Sequence, residues 1–151
     1  MEIEKLTEKL DYSIRNSDSI SGSYSSGCMN VAVAVHEICV EQFDYEPSVI
    51  ALERPFSLQS TVDHFVLAFG KFYVGEVRDI DSFSDSENTV YVDTKGAFKN
   101  LRSILEILYD EEIEEVGIFR YRIEEVKQSP HYDKSIKNKF KKDIEENLQD
   151  S

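Results

Sequence analysis

Tryptophan is absent from this sequence, and proline and glycine are scarce, with three and six residues among 151. So little glycine and proline excludes a collagen-like or low-complexity chain. The aromatic part of any core must therefore come from the nine phenylalanines and eight tyrosines. With 40% hydrophobic residues, the composition predicts one globular domain over residues 1–151.

Cysteine is also rare, and the two thiols fall on one predicted helix. Cys28 and Cys39 are eleven residues apart, which is about 16 Å along a helix axis. A disulfide requires Cα atoms within about 7 Å. We therefore expect two free thiols, as in a reducing compartment, and exclude a disulfide-rich scaffold.

Basic residues are too few to balance the acidic ones. Seventeen Lys and Arg against thirty Asp and Glu give a formal charge of −13. This charge repels phosphate backbones and anionic membrane surfaces, so we expect no direct nucleic-acid ligand and no membrane contact. An acidic chain can instead bind a basic protein partner.

Long apolar runs are missing as well. None approaches the ~18 residues of a membrane span, and the start, Met1 to Lys5, lacks the basic and apolar regions of a signal peptide. The expected location is the cytoplasm, or the host cytoplasm if a phage encodes the chain.

Apolar periodicity predicts three or four helices. The spacing of apolar residues indicates helices over 2–16, 28–43 and 133–151, and a further stripe runs from Phe98 to Leu108. Gly96 is expected to end the strand before that stripe. Ser25 and Ser26 are plausible caps for the second helix.

Strand-like runs occupy the middle of the chain. We predict strands over 49–52, 62–69, 72–77 and 89–93, and favour a strand over a helix for 113–121. The run 62–69 is almost wholly apolar, which indicates a central strand covered on both faces. Gly70 and Lys71 suggest a tight turn that makes 72–77 its antiparallel partner.

Three residues could form a nucleophilic site. Cys28 opens a helix, where unpaired N–H groups and the helix dipole favour a thiolate. His64 is expected on the same strand face as Val66 and Ala68, and this face could pack on the helix of Cys28. Asp93, at the end of another strand, could accept the second imidazole proton.

Each of these residues also has a purely structural interpretation. Cys28 and Cys39 lie on one apolar helical stripe and could both be core residues. His64 could be a hydrogen-bonded structural histidine, and Asp93 a turn residue. His36 falls off the stripe and is expected to face solvent. The acidic run around Asp110 to Glu115 is either a solvated surface or a docking patch.

A resemblance supports the functional interpretation. Gly27 and Cys28 followed by Ala32, Ala34 and Glu37, then His64, then the run Tyr91 to Gly96, resemble small papain-like and transglutaminase-like cysteine hydrolases of phages and bacteria. The resemblance covers about residues 22–108. It implies that Cys28 is the nucleophile, His64 the general base and acid, and Asp93 the group that orients the imidazole.

The chain departs from that pattern in two respects. The predicted hairpin and a polar loop precede the strand of Asp93, so Glu76, Asp79 or Asp81 could orient the histidine instead. No Gln or Asn stands close before Cys28 to stabilise an oxyanion, the nearest being Asn16.

The sequence thus predicts an α+β fold, with a central helix on an antiparallel sheet and helices at both ends. The predicted function is a cysteine hydrolase or acyl transferase that acts on an amide or related acyl bond of a protein or peptide-like substrate. No metal or organic cofactor is implied, because Cys-x-x-Cys, Walker-type and dinucleotide motifs are absent and the histidines are dispersed. The alternative is a non-catalytic acidic protein that blocks a basic host or defence protein.

Overall fold

The computed structural model describes residues 2–21, 27–53, 62–78, 83, 88–108 and 115–150. Within these ranges the fold is α+β, as predicted, with an antiparallel sheet and flanking N- and C-terminal helices. The helices are α1 (Ile3–Arg15), α2 (Asp18–Ser21), α3 (Gly27–Phe43), α4 (Leu101–Leu108), α5 (Ile123–Lys127) and α6 (Lys134–Asp150). The strands are β1 (Ser48–Glu53), β2 (Val62–Phe69), β3 (Gly75–Val77), β4 (Val90–Asp93), β5 (Gly96–Phe98) and β6 (Val116–Tyr121).

The sheet separates two hydrophobic clusters. Its strand order is β3-β6-β1-β2-β4-β5, and every pair of neighbours is antiparallel. Helices α1, α3, α5 and α6 contribute to the cluster on one face, whereas α4 contributes to the other. Helix α3 is apolar on nearly all sides because other helices and the sheet surround it.

Strand β2 is central and covered on both faces, as its continuous apolar run predicts. Its neighbours are β1 and β4. Phe65, Leu67 and Phe69 pack in the cluster that contains α3. Val66 and Ala68 point to the opposite cluster with α4.

The predicted hairpin after β2 is wrong. The chain turns at Gly70, whose φ of +120° suits glycine, but residues 71–74 form no strand. β3 then pairs with β6 at the far edge of the sheet. The reason is that β1 and β4 already occupy both edges of β2. The residues of the turn do not indicate which strands pair with β2.

Gly96 begins a strand instead of ending one. It is paired with Asp93 in a tight β4–β5 hairpin, so Phe98 belongs to β5 and the helix starts at Leu101. The other predicted elements agree closely with the structure. The strand favoured for 113–121 is present as β6, while residue 113, Ser25 and Ser26, and most of the acidic run from Asp110 lie outside the described residues.

No helix in the described part of the chain is long and apolar enough to cross a membrane.

An ion-pair cluster joins α6 to α3. The ammonium of Lys137, whose side chain is only 6% exposed, donates to Glu37 Oε2 at 2.9 Å, and Lys141 donates to the same oxygen at 3.2 Å. Lys141 also reaches Glu41 at 2.8 Å. Burial by itself raises the pKa of Glu37. The hydrogen bonds and charges of Lys137 and Lys141 together have a larger, opposite effect, so the net pKa is below the usual value.

We expect Glu37→Leu to lower the free energy of unfolding by about 2–4 kcal/mol at pH 7, because it leaves the Lys137 ammonium buried without a carboxylate. Urea unfolding measures this. Since the pKa of Glu37 is depressed by folding, its contribution is present above the unfolded pKa of about 4.3 and is lost as the pH falls through the folded pKa. The difference between wild type and variant should therefore shrink below about pH 4.

The matched control is Glu41→Leu, because Glu41 is more exposed and, among the described residues, forms an ion pair with Lys141 only. It should cost less than about 1 kcal/mol. Equal losses for the two variants would show that the buried pair contributes nothing special.

Candidate active site

Cys28 lies in the first turn of α3, directly after Gly27. The first four N–H groups of a helix have no partner within it, so this thiol stands where negative charge is stabilised. Cys28 is partly exposed, whereas Ala32, Val35 and Cys39 on the same helical stripe are buried. The later residues of the stripe therefore lie in the core, whereas Cys28, the first, is accessible.

The structure brings His64 and Asp93 together with Cys28. His64 Nε2 lies 3.2 Å from Asp93 Oδ2, and both residues are more than nine-tenths buried. The His64 side chain is also hydrogen-bonded to the Cys28 thiol.

Asp93 is held by the turn that follows it. The backbone N–H of Lys95 donates to Asp93 Oδ1 at 2.8 Å, while Oδ2 faces the imidazole. Such an aspartate turn fixes the carboxylate two residues before the donor. Asp93 thus combines the turn role and the contact with the histidine, which the sequence presented as alternatives.

The charge distribution favours a thiolate. Burial raises the pKa of the Cys28 thiol, but the hydrogen bond and charge of His64 lower it more. The backbone N–H groups of Phe65 and Met29 also lower this pKa by hydrogen-bonding to the sulfur. The net pKa is below that of an ordinary thiol.

His64 shows the complementary shift. Burial lowers the pKa of His64, while the hydrogen bonds and charges of Asp93 and Cys28 raise it, with a net value of about 9. The imidazolium donates from both ring nitrogens, one toward a carboxylate and one toward sulfur. The two groups titrate as a pair, and the directions of both pKa shifts favour the imidazolium–thiolate form over the neutral pair.

The contact between His64 and Cys28 does not arise from the expected face. Val66 and Ala68, which share the His64 face, pack toward α4 and not on α3. The contact forms instead at the strand edge, since the sulfur accepts a hydrogen bond from the backbone of Phe65. β4 pairs with β2 only from Leu67 onward, and the β1–β2 register shifts next to His64, so alternation no longer dictates which side the imidazole reaches.

The second thiol is a core residue, as predicted. Cys39 is fully buried, and burial raises its pKa to about 12. It is therefore a poor nucleophile, and the two cysteines of one helix differ sharply in chemistry.

The other acidic residues considered for orienting His64 are not brought to it. Glu76 lies on β3, which β6 and β1 separate from β2. Asp79 and Asp81 lie outside the described residues. Asn16 is also unavailable to the thiol, since its side chain donates to Tyr12 O at the end of α1.

Sequence reasoning missed the backbone donors of the site. The N–H groups of Phe65 and Met29 act on the sulfur, and that of Lys95 acts on Asp93. Every residue except proline supplies a backbone N–H, so residue type does not identify these donors. The run from Asp93 to Gly96 is typical of a turn, however, and could have predicted the Lys95 contact.

His36 was expected to face solvent, and this is wrong. It is 8% exposed, and its Nε2 lies 3.6 Å from Glu46 Oε1. It lines a cavity of about 490 Å³ with Ser48, Arg120 and Arg122. Residues of β1, β6 and α5 line the same cavity, and burial lowers the pKa of His36.

Among the described residues, no group of three or more His, Cys, Asp or Glu side chains is arranged to hold a metal ion. Comparison of the chain with protein-family models, curated proteins and solved structures finds no match.

Proposed function

We propose that the protein is a papain-like cysteine hydrolase or acyl transferase that acts on an amide or related acyl bond. Cys28 is the nucleophile, His64 the general acid and base, and Asp93 the residue that orients the imidazole. The observation that carries the proposal is the continuous hydrogen-bonded series from the Cys28 sulfur through His64 to Asp93. Nucleophile, base and orienting group in contact are the parts that covalent acyl chemistry requires.

The acylation step uses the thiolate already present. The Cys28 sulfur attacks the carbonyl carbon, and the carbonyl oxygen becomes an oxyanion beside the positive end of the α3 helix dipole. The intermediate collapses to a thioester as the C–N bond breaks. The leaving amine takes its proton from the His64 imidazolium.

Deacylation reverses these roles. Neutral His64 accepts a proton from water, or from an acceptor amine or hydroxyl, as that oxygen or nitrogen attacks the thioester. The C–S bond breaks, and the thiolate and imidazolium are regenerated. Asp93, fixed by the N–H of Lys95, holds the imidazole in its orientation throughout.

We expect iodoacetamide at pH 6 to label Cys28 at least about 100-fold faster than Cys39, since only the thiolate reacts and Cys39 is buried with a raised pKa. Mass spectrometry of peptides after timed quenching measures both rates. In denaturant the two rates should converge, which confirms that the fold causes the difference. Equal slow labelling in the folded protein would contradict a thiolate at Cys28.

Turnover requires a second measurement. A simple activated ester, p-nitrophenyl acetate, should place an acetyl group on Cys28 that is then lost to water, visible as a transient mass increase in intact protein. Cys28→Ala should neither gain the acetyl group nor release nitrophenol above background. An acetyl thioester that forms and never hydrolyses would reduce the proposal to a reactive thiol without turnover.

The charge of −13 favours a second candidate, an acidic protein that blocks a basic partner without chemistry. The two functions diverge at one side chain. Cys28→Ala removes the chemistry of a hydrolase, whereas it leaves the binding of a blocking protein intact.

A further inference from the structure

A groove with an apolar floor and an acidic rim lies between α1 and the β4–β5 hairpin. Its volume is about 220 Å³, below the ~300–1,000 Å³ of typical small-molecule sites. Val90, Ala97 and Phe98 line it from the sheet, and α1 contributes Glu4, Glu8 and Asp11. The dimensions suit one long side chain.

The carboxylates of the rim differ in their engagement. Asp11 Oδ1 accepts hydrogen bonds from the N–H of Ala97 at 2.8 Å and from the Nε–H of Arg15 at 2.7 Å. Asp11 therefore links α1 to the edge strand β5. Within the described part of the chain, the Glu4 and Glu8 side chains form no ion pair. Two like charges at i and i+4 disfavour a helix, so their placement at an apolar groove costs some stability.

We propose that this groove binds a lysine or arginine side chain of a basic protein segment. A long cationic side chain has an apolar stem and a charged end, which match an apolar floor and a carboxylate rim. The strongly acidic chain attracts such a segment from a distance and repels acidic competitors. Lys99 also lines the groove and is the one cation among its described lining residues, so it competes for the carboxylates.

This inference does not depend on chemistry at Cys28. The groove adjoins the hairpin that carries Asp93, but its lining residues do not include Cys28, His64 or Asp93. A basic segment bound here serves a hydrolase as a docking contact for its substrate, and serves a blocking protein as part of the interface. Binding can therefore be measured with a peptide whether or not the protein has turnover.

The test uses a fluorescein-labelled octapeptide of alternating Lys and Gly, measured by fluorescence anisotropy at low salt, with the Glu–Gly counterpart as a negative probe. Glu4→Gln with Glu8→Gln should weaken binding about fivefold or more. The matched control is Glu146→Gln with Asp150→Asn on α6, which removes the same charge elsewhere and should change the affinity less than twofold. Lys99→Gln should tighten binding.

Amide chemical shifts of the ¹⁵N-labelled protein locate the bound peptide. The largest changes should fall on Thr7, Glu8 and Ala97, beside the groove. Equal weakening by both double variants would reduce the effect to net charge and overturn the proposal. Shift changes centred elsewhere, or no binding to the wild type, would overturn it as well.

Discussion

Replacing His64 with alanine is expected to slow iodoacetamide alkylation of Cys28 at pH 6 by about 10- to 100-fold. The hydrogen bond and charge of His64 lower the pKa of this thiol. Without them, burial raises this pKa and only the weaker effects of the Phe65 and Met29 N–H groups oppose it. A thiol of ordinary pKa is well under ~1% thiolate at pH 6, although its higher intrinsic nucleophilicity offsets part of the loss. The rate should be followed as a function of pH, where the variant's curve shifts to higher pH.

His131→Ala is the matched control, because His131 is exposed and distant in sequence from the three site residues. It should leave the pH–rate curve unchanged. Asp93→Asn should give an intermediate curve, since it retains an oxygen beside Nε2 but removes a charge that raises the pKa of His64. A His64→Ala curve that overlays the wild type would show that the imidazole does not control the thiol.

Replacing Gly96 with alanine should lower the free energy of unfolding by about 2–4 kcal/mol. Gly96 has a φ of +120°, which is strained for any residue with a side chain. A Cβ there would also collide with Asp11 Oδ1 and come within 2.9 Å of Arg15 Nε. Urea unfolding measures the loss.

The Gly96→Ala substitution should also change the reactivity of Cys28. Gly96 is paired with Asp93, and the intervening Lys95 holds the Asp93 carboxylate, so a displaced hairpin should also slow Cys28 alkylation at pH 6. Gly117→Ala is the control, because its φ is ordinary and the three atoms nearest to a Cβ there belong to the partly exposed Phe119 ring, which can move. It should cost about 1 kcal/mol or less. A Gly96→Ala protein as stable as wild type would contradict the strain argument.

Local signals predicted the elements well and their partners poorly. The apolar periods of α1, α3 and α6 and the continuous run of β2 predicted those elements to within a few residues, because each period reflects the burial of that segment. The pairing of β3 failed, because it depends on β6, some forty residues later in the sequence, and on the occupied edges of β2. Nothing in the sequence between Gly70 and Val77 indicates that β1 and β4 occupy the two edges of β2.

The sequence predicted the three site residues but not the way in which His64 reaches Cys28. The residues named from the sequence, Cys28, His64 and Asp93, lie in hydrogen-bonded contact. The strand face through which His64 was expected to reach α3 packs on the other side of the sheet. Alternation holds within a regular strand. His64 lies near the start of β2, where the β1–β2 register shifts and β4 does not yet pair with β2.

The position of α6 has a consequence for synthesis on the ribosome. Cys28, His64 and Asp93 all emerge before α6. The cluster of α3 includes Phe140 and Ile144 of α6, and Lys137 of α6 pairs with Glu37 only once that helix is made. Until then one side of the apolar helix that begins at Cys28 stays uncovered, and β1 lacks its partner β6. The nascent chain therefore carries an exposed apolar helix until α6 has emerged, and β1 is paired along one edge only, with β2, until β6 has emerged.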